Sequence, residues 1–277
     1  MIPQSDSKII TSFLLFLDNA IQYQGQAFTN QSSLFYPTSQ EVAGLYSYTA
    51  PFTQMCNDTS IFGANIISGV YLNNTYVGIG QSGLVSINHY FGAVTFNQPV
   101  PQNIQISGNF AVKDVNIYLS DGPDYKVVLN QKFSVNPKYG QTKTGVAEDV
   151  KIMPAIFLVP KAQETLPFAF DGCDDNRVRI RGIIVAENVY QRVCIGSILK
   201  NLRLRSLPYI AATPFSYDGS YTGGVPYNYW NLQIDPTYAP VIMSCKVTEI
   251  PERGTFESLT AQFSQFDAVV SYWGNHL

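Results

Sequence analysis

"SGVYLNNTYVGIGQSGLVSINHYFGAVTF", residues 68–96, sets short runs of Val, Ile, Tyr and Phe between turns made of Asn and Gly. β-branched and aromatic side chains suit the pleated, half-buried surface of a strand. Paired asparagines tolerate the positive φ that a two-residue hairpin turn requires. Asn73–Asn74 therefore predicts a tight hairpin between Tyr71 and Tyr76, and Phe91–Gly92 turns "LVSINHY" (84–90) into "AVTF" (93–96). The stretch reads as antiparallel ribbons.

The same signals continue outward. "GLYSYTA" (44–50), "SIFGANI" (60–66), "NFAVKDVNIYLS" (109–120), "KVVLNQKFSV" (126–135), "IMPAIFLV" (152–159), "RVRIRGIIVAEN" (177–188), "VIMSCKVTEI" (241–250) and "FDAVVSYW" (266–273) all predict strands. Two segments carry helical spacing instead. Ser5, Asp6 and Ser7 offer N-caps, Ile9, Ile10, Phe13, Phe16, Leu17, Ala20 and Ile21 follow at helical intervals, and Gly25 ends the pattern. "NVYQRVCIGSILKNL" (188–202) predicts the second helix, with Val189, Val193, Ile195, Ile198, Leu199 and Leu202 mostly on one side. The expected fold is mainly β, an antiparallel sandwich-like core with an N-terminal helix and one further helix near 188–202. Its expected organisation is a helix and arm over 1–30 and a β-rich domain over 31–277, with a subdomain boundary in the loop-like 136–150.

Charged residues are 13% of the 277, about half the usual share of roughly 25%. Asn, Gln, Ser, Thr and Tyr fill the deficit, which suggests a surface covered by other subunits. A net charge of −3 is too small to imply a nucleic-acid or polyanion partner. "KIITSFLLFL" (8–17) is far too short to span a bilayer, and Asp18 and Asn19 stand where a leader would place small residues before its cleavage site. Cys56, Cys173, Cys194 and Cys245 are widely scattered, which predicts reduced, mostly buried thiols and folding in a reducing cytoplasm.

Chemistry-bearing motifs are scarce. The two histidines are His89, in a strand pattern, and His276, next to the last residue, so neither a His-based triad nor a zinc site is expected. Asp171, Asp174, Asp175 and Asn176 cluster in "DGCDDNR" without the spacing of a calcium loop, and read as a polar turn. No catalytic, cofactor-binding or metal-binding residue is assigned. Two groups remain as candidate subunit-interface residues. Arg177, Arg179 and Arg181 alternate along one strand face, where they suit phosphate or a neighbouring subunit's carboxylates. Tyr217, Tyr221, Tyr227, Tyr229 and Trp230, with Tyr238, lie among Gly, Pro, Ser and Asn; such rings serve protein contacts, plug the end of a sandwich, or stack on sugars.

Residues 69–118 resemble a module of tailed-bacteriophage virion proteins. The resemblance rests on the hairpin turn Asn73–Asn74, a strand ending at Asn88, and the run Gly92–Ala93–Val94–Thr95–Phe96. A connection through Pro99 and Pro101 then leads to an alternating strand from Phe110 to Tyr118. It implies a non-enzymatic structural protein of the virion, assembled in the host cytoplasm as a homo-oligomeric ring in the neck or tail, at the head-tail connection or tail completion. Its partners would be itself and other virion proteins, with no membrane and no cofactor. The arginine face is a solvated strand face or a contact with a neighbouring subunit, and the resemblance leaves direct DNA contact open. A carbohydrate-binding β-sandwich, receptor-binding or lectin-like, is the second expectation. A glycoside hydrolase with two facing carboxylates about 5 to 10 Å apart is the third.

Overall fold

The computed structural model describes residues 5–42, 44–120, 132–136, 150–166, 175–210, 226–234, 239–249 and 262–273. Helix α1 (Ser5–Gln24) leads into strands β1 (Phe28–Val42), β2 (Leu45–Thr49), β3 (Gly69–Leu72), β4 (Thr75–Gly78), β5 (Leu84–Asn88), β6 (Ala93–Phe96) and β7 (Ile106–Lys113). These seven strands form one sheet in the order β4-β3-β7-β1-β2-β6-β5. Its two edge strands, β4 and β5, are consecutive in the chain. The Gly80 amide donates to the Leu84 carbonyl at 2.8 Å in the turn between them, so the sheet curls into a nearly closed barrel. Phe35, Phe52, Val70, Val94, Phe96 and Phe110 fill its interior.

Both predicted hairpin turns form. Asn73 and Asn74 adopt φ 45° and 69°, the pair of positive values that matches strand twist, and Leu72 faces Thr75 across the turn. At the second turn the Asn88 side chain accepts the amides of Tyr90 and Phe91 at 3.0 and 3.1 Å. Gly92 follows with φ 63°, packed so closely that a Cβ would lie 2.0 Å from the Phe52 carbonyl oxygen.

After Lys113 the chain changes sheet. "NFAVKDVNIYLS" was expected as one strand, but it divides into β7 and β8 (Asn116–Leu119) around Asp114, whose amide donates to the Ala27 carbonyl at 2.9 Å. Strands β9 (Lys132–Val135) and β10 (Val150–Met153) form a short parallel pair. The second large sheet joins β8 to β11 (Ala155–Leu166), β12 (Asp175–Ala186), β15 (Val241–Glu249) and β16 (Gln262–Trp273), in the order β15-β16-β12-β11-β8. It is antiparallel except where β8 runs parallel to β11. Strands β13 (Tyr209–Ile210) and β14 (Gln233–Ile234) make a two-residue ladder. The mainly β reading with antiparallel sheets and an N-terminal helix therefore holds.

Three local expectations are corrected. "SIFGANI" is a loop, reversed at Gly63 with φ 85°. Strand β1 was not foreseen, because among its described side chains Phe35 alone is buried and apolar, and its hold is the eight-residue register with β7 together with its pairing to β2. Helix α1 was expected to be amphipathic, yet from Ile9 to Gln22 everything except Thr11 is buried. The five-stranded sheet takes one side of α1. Helix α2 (Val189–Lys200), β13 and the segment 226–230 cover much of the rest. Helix α2 itself buries Ile195 and Leu199, while Val189 and Val193 face outward. The 136–150 boundary lies almost entirely outside the described residues.

Gly182, in the middle of β12, lies under the Phe266 ring, and a Cβ there would sit 1.9 Å from Cε1. Gly182→Ala should lower unfolding free energy by about 1–3 kcal/mol, read as a shift in urea midpoint, since an overpacked core must move side chains or backbone. Adding Phe266→Leu should return part of the loss; an unchanged midpoint in the single variant would contradict this packing.

Candidate functional site

The two sheets and α1 meet at a buried polar seam. Asp18 and Asn19 sit on the last turns of α1, Lys113 ends β7, and Asp58 lies in the loop after β2; all four are buried. The Lys113 ammonium donates to Asp18 Oδ2 at 2.8 Å, and the Tyr227 hydroxyl approaches the same oxygen at 3.5 Å. Asp58 acts as a clamp on three segments. Its Oδ2 accepts from Asn19 Nδ2 at 2.9 Å, and its Oδ1 accepts the amides of Ser60 at 2.9 Å and Tyr229 at 3.0 Å. The 58–59 backbone also pairs with Tyr227, the Thr59 amide donating to its carbonyl at 2.7 Å. A carboxylate that accepts this many hydrogen bonds tolerates burial.

The sequence-predicted site residues separate here. Tyr229 is a core residue, 1% exposed, and burial pushes its hydroxyl pKa up. Trp230, next to it, is 52% exposed and meets half-exposed Tyr23 edge-on, with ring centroids 6.4 Å apart. Tyr227 is half-buried in the seam. Tyr217, Tyr221 and Tyr238 lie outside the described residues, as do Asp171 and Asp174 of the acidic turn. Arg177, Arg179 and Arg181 do share one face of β12, opposite Val178 and Ile180 of the core. Each is already paired within the chain: Arg177 with Asp175 at 2.7 Å, Arg179 with Glu164 at 2.9 Å, and Arg181 with Asp267 at 2.7 Å. The strip is thus a row of matched ion pairs. His89 is buried in the turn after β5, where its Nε2 meets the Ile67 carbonyl at 3.1 Å.

Cysteine burial varies. Cys56 is fully buried beside the seam and Cys245 is intermediate, but Cys194 stands exposed on α2, contrary to the expectation of mostly buried thiols. All three are free, and Cys173 lies outside the described residues. Among the described residues, no group of three His, Cys, Asp or Glu could hold a metal, and no helix is long and apolar enough to cross a membrane.

Sequence reasoning missed the surface that sets this molecule apart. Between Asn19 and Val112 the only Asp, Glu, Lys or Arg residues are Glu41 and Asp58. Among the described residues, the exposed side chains of the seven-stranded sheet and its turns are therefore mostly Asn, Gln, Ser, Thr and apolar ones, including Tyr36, Leu45, Tyr76, Ile79 and Val85. A window count of charge along the chain would have found it. A second apolar surface is the outer face of α2, where Val189, Tyr190, Val193 and Cys194 are exposed, Tyr190 reaches 79%, and Lys200 closes the last turn. No protein-family model matches this chain, and no curated protein matches it.

Lys113→Met strands Asp18 in the seam and should cost about 3–5 kcal/mol, whereas Asp18→Leu combined with Lys113→Met should recover most of that loss. A double-mutant cycle in urea measures both; additive losses would show that the two charges do not interact. Burial pushes the Cys56 thiol up to about 12 from an ordinary 9.0. A folded thiol that keeps its proton while the unfolded one releases it loses stability as pH rises above about 9. Iodoacetamide at pH 8 should label Cys194 in the native protein and Cys56 only after unfolding, by peptide mass mapping.

Proposed function

We propose that the chain is a non-enzymatic structural protein of a tailed-phage particle, assembling with copies of itself as a ring in the neck or tail. The observation that carries this reading is the scarcity of charge across the seven-stranded sheet. A soluble domain of this size ordinarily spreads charges of both signs over about a quarter to a third of its surface, which keeps it dispersed. A 94-residue stretch, 19–112, that holds two charged residues, one of them buried, fits a surface destined to be covered.

Two further features support it. The segment that resembles phage virion modules, 69–118, spans β3 to β8 and so supplies most of that uncharged unit. A head-to-tail ring also needs two different surfaces on each copy, and the outer face of α2 is a second exposed apolar patch on another part of the chain. The arginine strip, with its ion pairs made internally, suits an interface that is matched in charge rather than a DNA-phosphate contact. Partners in this reading are other copies and other virion proteins, and assembly takes place in the host cytoplasm.

Light scattering after size exclusion should give a closed oligomer, or mass spectrometry of purified particles should recover the chain in stoichiometric amount. Tyr76→Lys with Ile79→Lys, and separately Tyr190→Asp with Val193→Asp, should each reduce the oligomer to monomer without lowering the thermal midpoint. A monodisperse monomer absent from every particle would defeat the proposal.

A further inference from the structure

We infer that the exposed pair Tyr23 and Trp230, at the outer end of the polar seam, is a binding site for a neutral carbohydrate. The two rings are residues other than those proposed for assembly on the β unit and α2. Its rings stand nearly perpendicular, at 86° with centroids 6.4 Å apart, and both are about half exposed. Trp230 is held on a short helical turn, Tyr229–Leu232, capped by the Asn228 side chain, which accepts the amides of Trp230 and Asn231 at 3.1 and 3.3 Å. Buried Tyr229 anchors that turn, with its amide on Asp58 and its ring 5.3 Å from Trp230. Tyr23 is fixed by the buried final turns of α1. The rings are exposed and rigid together, which limits the ordering cost of a ligand.

The surroundings decide the ligand class. Among the described residues, the segments that carry the rings, 19–26 and 226–234, contain no Asp, Glu, Lys or Arg; Thr59 adjoins Tyr227, and Ile198 of α2 adjoins Gly25. Exposed Gln24, Gln26, Thr59 and Asn231 supply amide and hydroxyl groups instead. The charged groups beneath, Asp18, Lys113 and Asp58, are buried and engaged with one another or with backbone amides. Aromatic faces take the apolar C–H side of a sugar ring, and amides and hydroxyls take its hydroxyls. An anionic ligand would find no exposed cation in these segments.

The test is saturation-transfer NMR of the full chain with maltohexaose, cellohexaose, chitohexaose, mannohexaose and, as an anionic comparison, sialyllactose. At least one neutral oligosaccharide should bind saturably. Trp230→Ala should weaken binding about tenfold, Trp230→Phe should retain part of it, and Tyr23→Ala should weaken it less than Trp230→Ala. Circular dichroism on each variant separates lost binding from lost folding. Absence of saturable binding to the neutral panel, binding that survives Tyr23→Ala with Trp230→Ala, or a preference for sialyllactose would overturn the inference. So would loss of acrylamide quenching at Trp230 on oligomerisation, measured in a Trp273→Phe background, because the rings would then be a subunit contact. Oligomeric state, read separately by light scattering, remains the test of the structural role.

Discussion

Lys113 is the last residue of the barrel-like sheet, and its ammonium is buried against a carboxylate on the helix that belongs to the other sheet's core. Taking two charges out of water costs several kcal/mol per ion, and only tight pairing with further hydrogen bonds offsets it. The geometry at the seam meets that demand. Asp18 has the ammonium and the Tyr227 hydroxyl beside it, and Asp58 next to it accepts from a side-chain amide and two backbone amides. An apolar seam of the same size would let α1 slide or rotate against the β7 end. Specific hydrogen bonds fix one position. The registers of helix, barrel and five-stranded sheet are thereby set relative to one another, and the chain's change of sheet at Asp114 follows directly after that fixed point.

This arrangement explains which parts of the fold were readable from residues. Local rules governed the hairpins, because Asn73–Asn74 and Gly92 determine turn geometry whatever surrounds them. Long strands with an apolar face, such as β12 and β16, were equally legible. Strand β1 was hidden because its exposed side is Asn, Gln, Ser and Thr and its stability comes from pairing rather than burial. The break in 109–120 was hidden for a different reason. The adjacent polar pair Lys113–Asp114 interrupts the alternation, but β-forming residues resume at once with Val115, and the tertiary partner of Lys113 shows why the strand ends there. The burial of α1 on its polar side likewise depends on Asn19, Asp18 and Gln22 finding partners distant in sequence or, for Gln22, the Asp18 carbonyl one turn earlier.

The candidate site shows the same division. Arg177, Arg179 and Arg181 were placed on one face by period-two alternation, but the sequence held no sign that Asp175, Glu164 and Asp267 would meet them. Within "YNYWN", adjacent aromatics took opposite roles. Tyr229 went into the core because Asp58 binds its amide, and the helical turn that follows then turned Trp230 outward beside Tyr23. No propensity distinguishes two neighbouring rings; a buried carboxylate 171 positions away does.

Charge placement gives the two halves of the molecule different physical characters. The five-stranded sheet carries matched ion pairs on its arginine face, which keep that face hydrated at little cost or gain in stability. The barrel-like unit carries almost no charge, and its hydration rests on amides, hydroxyls and backbone. Such a surface gives weak electrostatic repulsion between copies, while its exposed Tyr76, Ile79 and Val85 offer apolar area. Contact through such a surface would depend on shape and apolar area rather than on salt-sensitive steering. In the proposed ring this nearly uncharged surface would be the one that neighbouring copies cover. In that arrangement the buried seam would hold each copy's geometry, so that contacts between copies could close on themselves rather than grow without limit.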